Sequence, residues 1–342
     1  MAKKCDNVIF TSGYRMIHVM LSQAESYRDI VDYLRDQGAQ VTLVGPESAT
    51  QNIRGKAAIV KAMLSPRLLR ARRTWTTADQ VLVIGWQALP LLALIKLGLL
   101  PRPAKLLVMA CFIHGKRARN MVNQAWRLVR FPGMGFITFS EGEARNLVKE
   151  VGMPPSAVHF HLWRQALGGQ AAPDAIGDDG YIFSGGFSNR DYDLLLEAAG
   201  ALDTPMVVVA SAHNQINPTS ATTRVYRDLP EAEFEALLAK SRVVAIPLKS
   251  QGEACGQSVL LRVLRNGKPL IATRHEAIEA YLGADYAGFV PHGDAAAMAA
   301  ALKRALADHA FRAALAAKIT QANRKLALAD GPGQEIARYL HA

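Results

Sequence analysis

The chain of 342 residues has only three cysteines, Cys5, Cys111 and Cys255. They are odd in number, far apart and without metal-ligand spacing, which excludes a disulfide-stapled scaffold and a cysteine zinc site and argues for a reducing compartment. Long apolar runs are lacking as well. The longest stretch, Val81 to Leu100, is broken by Gly85, Gln87, Pro90, Lys96 and Gly98, so it reads as a strand followed by a helix and not as a bilayer span. The N-terminus, MAKKCDNVIFTSG, runs into a short apolar strand without the hydrophobic core of a secretion signal, so a cytoplasmic protein is expected. Acidic residues are missing from one whole region: none falls between Asp79 and Glu141.

That gap concentrates the charge. The net charge is +11, but residues 1–165 hold 23 Lys and Arg against 10 Asp and Glu, a net +13, while residues 166–342 are at −2. Two clusters make the excess: Arg54, Lys56, Lys61, Arg67, Arg70, Arg72 and Arg73, then Arg102, Lys105, Lys116, Arg117, Arg119, Arg127 and Arg130. The first is interleaved with Ile53, Ile59, Val60, Met63, Leu64, Leu68, Leu69 and Trp75, a basic amphipathic pattern that suits anionic lipid headgroups. A merely solvated basic face and a nucleic-acid surface are the alternatives. With neither a recognition-helix pair nor an aromatic strand motif, no nucleic-acid partner is expected.

Taken in order, strands and helices alternate. Asn7–Thr11 reads as a strand with Thr11-Ser12-Gly13-Tyr14 as its turn, helical periodicity runs from about Met20 to Gln37, and Gln40–Val44 is the next strand. After the basic segment come strand Gln80–Ile84, a helix near Pro90–Leu99, strand Lys105–Ala110, a basic helix around Ala118–Val129 and strand Gly135–Phe139. Phe139-Ser140-Glu141 then reads as a strand end, an N-cap and an acidic first turn, opening a helix to Glu150. The stretch RQALGGQAAPDAIGDDG, Arg164 to Gly180, is a linker, and the alternation restarts beyond it. Such spacing predicts mainly parallel, doubly wound sheets. The expected organisation is a basic domain over 1–165, a linker over 166–180, a second domain over 181–325, and a last helix over 326–342 crossing back onto the first domain.

One stretch organises the second half: Gly252 to Thr273, GEACGQSVLLRVLRNGKPLIAT. An apolar run from Val243 to Leu248 leads through a loop to a short helix, stopped by Asn266-Gly267, and on to a second apolar run, Leu270–Ala272. Gly256, Gln257 and Ser258 fall where helical N–H groups lack intrahelical partners, so a phosphate placed there meets free donors and the positive end of a helix dipole. Glu253 lies at the strand's carboxyl edge, where open parallel sheets bind ligands. An ordinary helix start with Ser258 as its cap is the alternative.

These pieces combine into a pattern. YIFSGGFSNRDYDLLLEAAGAL (Tyr181–Leu202), AKSRVVAIPLKSQGEACGQSVLLRVLRNGKPLIATR (Ala239–Arg274) and GFVPHGDAAAMAAAL (Gly288–Leu302) follow one another in an order and spacing that resemble the nucleotide-sugar domain of GT-B glycosyltransferases of the retaining, family-four type. The first half is similar only in architecture. The resemblance implies an α/β protein of two doubly wound Rossmann-like domains with the active-site cleft between them. It also implies a metal-independent retaining hexosyltransferase using a nucleotide diphosphate sugar. Together with the basic apolar segment it suggests a lipid-linked sugar acceptor, a peripheral position on the inner face of the cell membrane, and a role in surface polysaccharide or glycolipid synthesis.

By the same resemblance, Gly185 and Gly186 make the turn that lets the diphosphate approach backbone, Arg190 pairs with it and Asn189 assists. Glu253 binds hydroxyls of the transferred sugar, and Gly256, Gln257 and Ser258 present donors to the phosphates. Tyr226 lies where relatives hold the nucleotide base, and His114 near where they carry a histidine touching the sugar. Ser12 and Gly13 face the cleft; Lys116 and Arg117 meet an acceptor pyrophosphate or belong to the membrane face. The chain departs from the pattern at one point. The family's second glutamate, a ribose ligand, is expected at Leu261, followed here by Arg262, so the ribose is held by another residue, Arg262 makes a different contact, or the chain is an inactive relative that binds nucleotide or membrane.

Overall fold

The structure is a computed structural model that describes residues 16–21, 28–44, 76–77, 79–85, 88–109, 116–164, 176–202, 204–218, 220–251 and 255–341. Two compact units divide the chain: Met1–Thr138 with Ala144–His161 and Asp330–Ala342, and Phe139–Glu143 with Leu162–Ala329.

The first unit is a parallel sheet of β1 (Met16–Leu21), β2 (Gln40–Val44), β3 (Gln80–Ile84), β4 (Lys105–Met109), β5 (Met134–Thr138) and β6 (Val158–Phe160), in the order β2-β1-β3-β4-β5-β6. Strands β3 and β5 are buried along their whole length, as near-continuous apolar runs must be when both faces of a parallel sheet are covered. Its described helices are α1 (Arg28–Asp36), α2 (Ala88–Lys96), α3 (Lys116–Val129) and α11 (Pro332–His341). Helix α4 (Glu141–Asn146) passes into a single π turn, Leu147–Val151, which ends on Gly152 at φ +73°.

Here the sequence expectation needs correction. The first described strand is Met16–Leu21, which begins between the expected turn and the expected helix and takes in the helix's expected start near Met20, and α1 is first described from Arg28. Six consecutive residues, five of them apolar, fit either state, and period alone does not separate a short buried strand from a helix. Asn7–Thr11, Ser12 and Gly13 lie outside the described residues.

The second unit holds β7 (Ile182–Gly185), β8 (Met206–Ala210), β9 (Thr223–Arg227), β10 (Val243–Ile246), β11 (Leu270–Thr273) and β12 (Phe289–Val290), all parallel and ordered β12-β11-β10-β7-β8-β9. Between and after them run α5 (Tyr192–Gly200), α6 (Glu231–Lys240), α7 (Gln257–Asn266), α8 (Glu276–Leu282), α9 (Ala295–Ala307) and α10 (His309–Leu328). Side chains start several of these helices: Asp191, Asp294 and Asp308 accept from Leu194, Ala297 and Phe311 N–H at 3.3, 2.8 and 2.9 Å.

The chain builds β7, β8 and β9 outward, then returns to the other side of β7 to lay down β10. The order therefore reverses between β7 and β10, and ligands of such sheets bind outside the carboxyl ends of the strands at that reversal.

Candidate functional site

Two loops leave the carboxyl edge at the reversal and clasp each other. After β7 comes Gly185-Gly186-Phe187-Ser188-Asn189-Arg190; after β10 comes Pro247 to Gly256, of which 252–254 lie outside the described residues. Arg190 and Leu248 form an antiparallel bridge, with Asp191 N–H donating to Pro247 O at 3.1 Å and Lys249 N–H to Asn189 O at 3.1 Å. Asn189 sits in the left-handed region, φ +54°, which asparagine tolerates better than most residues. Its amide donates to Ser250 O and to Cys255 Sγ, each at 2.9 Å, and accepts from Ser250 Oγ at 2.8 Å. The glycine turn is thereby tied to the residue just before Gly256. Beneath it, His275 Nδ1 accepts from Ala277 N–H at 3.1 Å, which leaves the proton of a neutral ring on Nε2, 3.5 Å from Cys255 Sγ.

Arg190 is buried, at 5% exposure. Its Nε donates to Gly185 O at 2.9 Å and an Nη to Ser188 O at 2.8 Å. Among the described residues no carboxylate lies within ion-pair distance of it. Burial pulls its pKa below the ordinary arginine value, with Tyr192 and Cys255 acting in the opposite sense, but a guanidinium stays charged at neutral pH. Gly186, at φ +107°, leaves room for that group: a Cβ there would stand 2.5 Å from a guanidinium nitrogen. Gly185 has a different neighbour, since a Cβ on it would meet the Phe234 ring at 2.4 Å. The Tyr192 hydroxyl donates to Gly186 O, and burial pushes that phenol up to about 12, so it remains a donor at any physiological pH.

Helix α7 begins on Gly256, φ +83°, and no side chain caps it among the described residues. Ser258 is its second residue and not its cap. The first intrahelical bond is Leu260 N–H to Gly256 O at 3.0 Å, so the N–H groups of Gln257 and Ser258 point out of the helix end. Gln257 is buried and spends its side-chain amide on Phe139 O at 2.5 Å. That leaves the backbone N–H as what Gln257 has for a ligand.

Gly185, Gly186, Asn189, Arg190, Gly256, Gln257 and Ser258 therefore come together. Tyr226 is two strands away on β9, in register with Val209. Arg262 faces α6: it pairs with Glu231 at 2.8 Å and Glu235 at 3.1 Å and lies 5.0 Å over the Phe234 ring. Leu261 beside it is buried in the core. Arg117 is an exposed residue of α3 in the first unit, and Lys116 begins that helix. Glu253, His114, Ser12 and Gly13 lie outside the described residues. Among the described residues no three His, Cys, Asp or Glu side chains stand together as a metal cage. Sequence reasoning passed over Phe187, Phe234 and the Cys255–His275 pair; an apolar residue directly after Gly-Gly was the only available signal for the first of these.

No protein-family model matches the chain, and no curated protein matches it. Solved structures are similar in fold. A glycosyltransferase from Rickettsia africae ESF-5 aligns with a TM-score of 0.68 over 96% of this chain and 98% of its own, at 11% identity. An alpha,alpha-trehalose-phosphate synthase (UDP-forming) from Burkholderia vietnamiensis aligns at 0.68 over 96% and 100%, at 15% identity. A trehalose-6-phosphate structure from E. coli bound with UDP-2-fluoro glucose aligns at 0.67 over 95% and 98%, at 9% identity. The chain has the GT-B fold, with two Rossmann-like α/β domains.

Proposed function

We propose that the chain is a glycosyltransferase that takes a nucleotide diphosphate sugar, holds the diphosphate between Arg190 and the amino end of α7, and transfers the sugar with retention of configuration. One observation carries this reading: Arg190 is a buried cation at the sheet's reversal point with only carbonyls as partners among the described residues. A buried charge without a counter-charge costs several kcal/mol, and a bound diphosphate would supply the counter-charge. Negative charge grows on the leaving nucleotide during transfer, and Arg190 with the N–H groups of Gln257 and Ser258 would stabilise it without a metal or a protein nucleophile. Glu253 would bind the sugar's hydroxyls and His114 would touch it, with Tyr226 toward the base. Neighbours of the same fold include a UDP-forming synthase and a complex with UDP-2-fluoro glucose, in keeping with this donor class.

The acceptor in this reading is a lipid-linked sugar, met at the inner face of the cell membrane during surface polysaccharide or glycolipid assembly, with Ser12, Gly13, Lys116 and Arg117 on the acceptor side. Its support is the outward face of α3, where the exposed Arg117 accompanies Met121 and Leu128, 45% and 71% exposed. Leu97 and Leu99 at the end of the neighbouring α2 are also exposed.

Thermal-shift measurement with UDP, GDP, ADP, TDP and CMP tests the donor site, because a ligand of the folded state alone raises its melting temperature. One nucleotide is expected to give a clear shift that Arg190→Met removes and Arg190→Lys restores in part. Absence of a shift with all five overturns the reading. Leu261 and the committed Arg262 favour a second reading, an inactive relative that binds without turnover; nucleotide binding with no release of nucleotide from any donor sugar would select it.

A further inference from the structure

Phe187 has no part in holding a diphosphate, yet it stands between Gly186 and the loop that Arg190 buttresses. The residue is 70% exposed, against 38% for Phe160, the other exposed phenylalanine among the described residues. The backbone beneath it is pinned on every side. Gly186 N–H donates to Val209 O at 3.0 Å and Gly186 O accepts from the Tyr192 hydroxyl; Phe187 O accepts from Asn214 Nδ2 at 3.0 Å; Ser188 O accepts from Arg190. An apolar ring on a mobile loop can fold back onto the protein surface. On this loop the ring is held out in water at the carboxyl edge of β7, where a parallel sheet receives its ligand.

We propose that Phe187 is a stacking platform for a ring of the substrate beside the diphosphate, and so a specificity-determining residue of the donor site. This rests on the donor-site reading. The C–H face of a pyranose and the π face of a base both pack against an aromatic ring, and the loop that carries the ring loses little conformational freedom on binding because its backbone is already hydrogen-bonded.

Phe187→Ala, Phe187→Tyr and the wild type are to be compared for melting temperature and, by calorimetry, for binding of the nucleoside diphosphate alone and of the corresponding nucleotide sugar. Because the side chain is exposed, the melting temperature of the free protein is expected to stay unchanged. Phe187→Ala is expected to weaken nucleotide-sugar binding by roughly 5- to 100-fold, the range of aromatic stacking on a ring, and Phe187→Tyr to restore it. If the nucleoside diphosphate weakens by the same factor, the ring is the nucleoside's; if only the nucleotide sugar weakens, it is the transferred sugar's. Equal binding of both ligands by Phe187→Ala and wild type overturns the proposal on its own. A wild type that binds neither ligand removes the donor-site reading, and this proposal with it, before any variant is compared.

Discussion

Glu143 shows how much a single side chain does at the end of β5. Ser140 Oγ accepts from Glu143 N–H at 3.1 Å, and the Glu143 carboxylate accepts from Phe139 N–H at 3.2 Å, so the two residues cap the start of α4 reciprocally. The other side of the same Phe139 unit, its carbonyl, is the one Gln257 grips. The residue as a whole is half-buried, but its carboxyl is enclosed, and burial pushes its pKa from 4.5 up to about 7, with the Phe139 N–H acting in the opposite sense. A raised folded-state pKa means that the folded protein binds this proton more tightly than the unfolded chain. The associated stability is therefore complete below about 4.5 and is lost as pH rises through about 7. Glu143→Gln, which keeps an acceptor for Phe139 N–H and never ionises, is expected to remove that dependence. In urea unfolding at pH 5 and pH 8 the wild type should lose up to about 3 kcal/mol more than the variant on going to the higher pH; parallel losses in the two proteins would sink the assignment. The Ser140 cap was legible in the sequence because capping chemistry is local. The reasons for Gly185 and Gly186 were not, since the Phe234 ring and the Arg190 guanidinium that fill their missing side chains come from α6 and from the far end of the loop.

At the scale of elements, α11 is built into the first unit by contacts that no periodicity reveals. Ile336 and Leu340 are buried, Gln80 Nε2 donates to Leu340 O at 2.7 Å, and Lys105 Nζ reaches Tyr339 O and Leu340 O at 3.3 and 3.2 Å. The Tyr339 ring lies on β5 where Gly135 has no side chain: a Cβ there would fall 2.2 Å from the tyrosine oxygen. Gly135→Ala is thus expected to cost about 1–3 kcal/mol through overpacking. Tyr339→Ala alone opens a cavity, but in the double variant the added methyl no longer clashes, so the two losses should sum to more than the double variant shows. Additive losses in thermal unfolding would mean that the helix shifts at no cost. The elements themselves were read well where an apolar run was clearly bounded: Gln40–Val44 and Gln80–Ile84 coincide with β2 and β3. Reading failed at Met16–Leu21, where a short apolar run had no glycine or proline beside it to mark its ends. Within the candidate site, the sequence placed both loops at one strand edge, where the structure also has them, but could not tell that Gln257 and Arg262 direct their side chains at Phe139 and at α6.

On the scale of the whole chain, the excess positive charge of residues 1–165 is only partly available to a partner. Arg102 donates to Pro132 O and lies 4.6 Å over the Phe131 ring, Lys105 caps the end of α11, Arg127 reaches Glu150 and Arg130 donates to Gly152 O. These side chains fasten the first unit together, which a count of charges along the sequence does not distinguish from a binding face. The earlier cluster, Arg54 to Arg73, lies outside the described residues. What α3 presents outward is a mixture of arginine with exposed Met121 and Leu128. For such a face, vesicle binding has two separable parts: an electrostatic one, screened as the Debye length falls from about 10 Å at 0.1 M salt to about 3 Å at 1 M, and an apolar one that salt leaves in place. If α3 meets the membrane, co-sedimentation with phosphatidylserine vesicles should be strong at low salt, drop at high salt and be comparably weak with purely zwitterionic vesicles. Leu128→Glu, at a position 71% exposed and so expected to leave the fold intact, should weaken binding at both salt concentrations, since it removes apolar area and adds repulsion together. Binding that falls with salt but ignores Leu128→Glu would assign the attraction to the other basic residues of the chain and take α3 out of the interface.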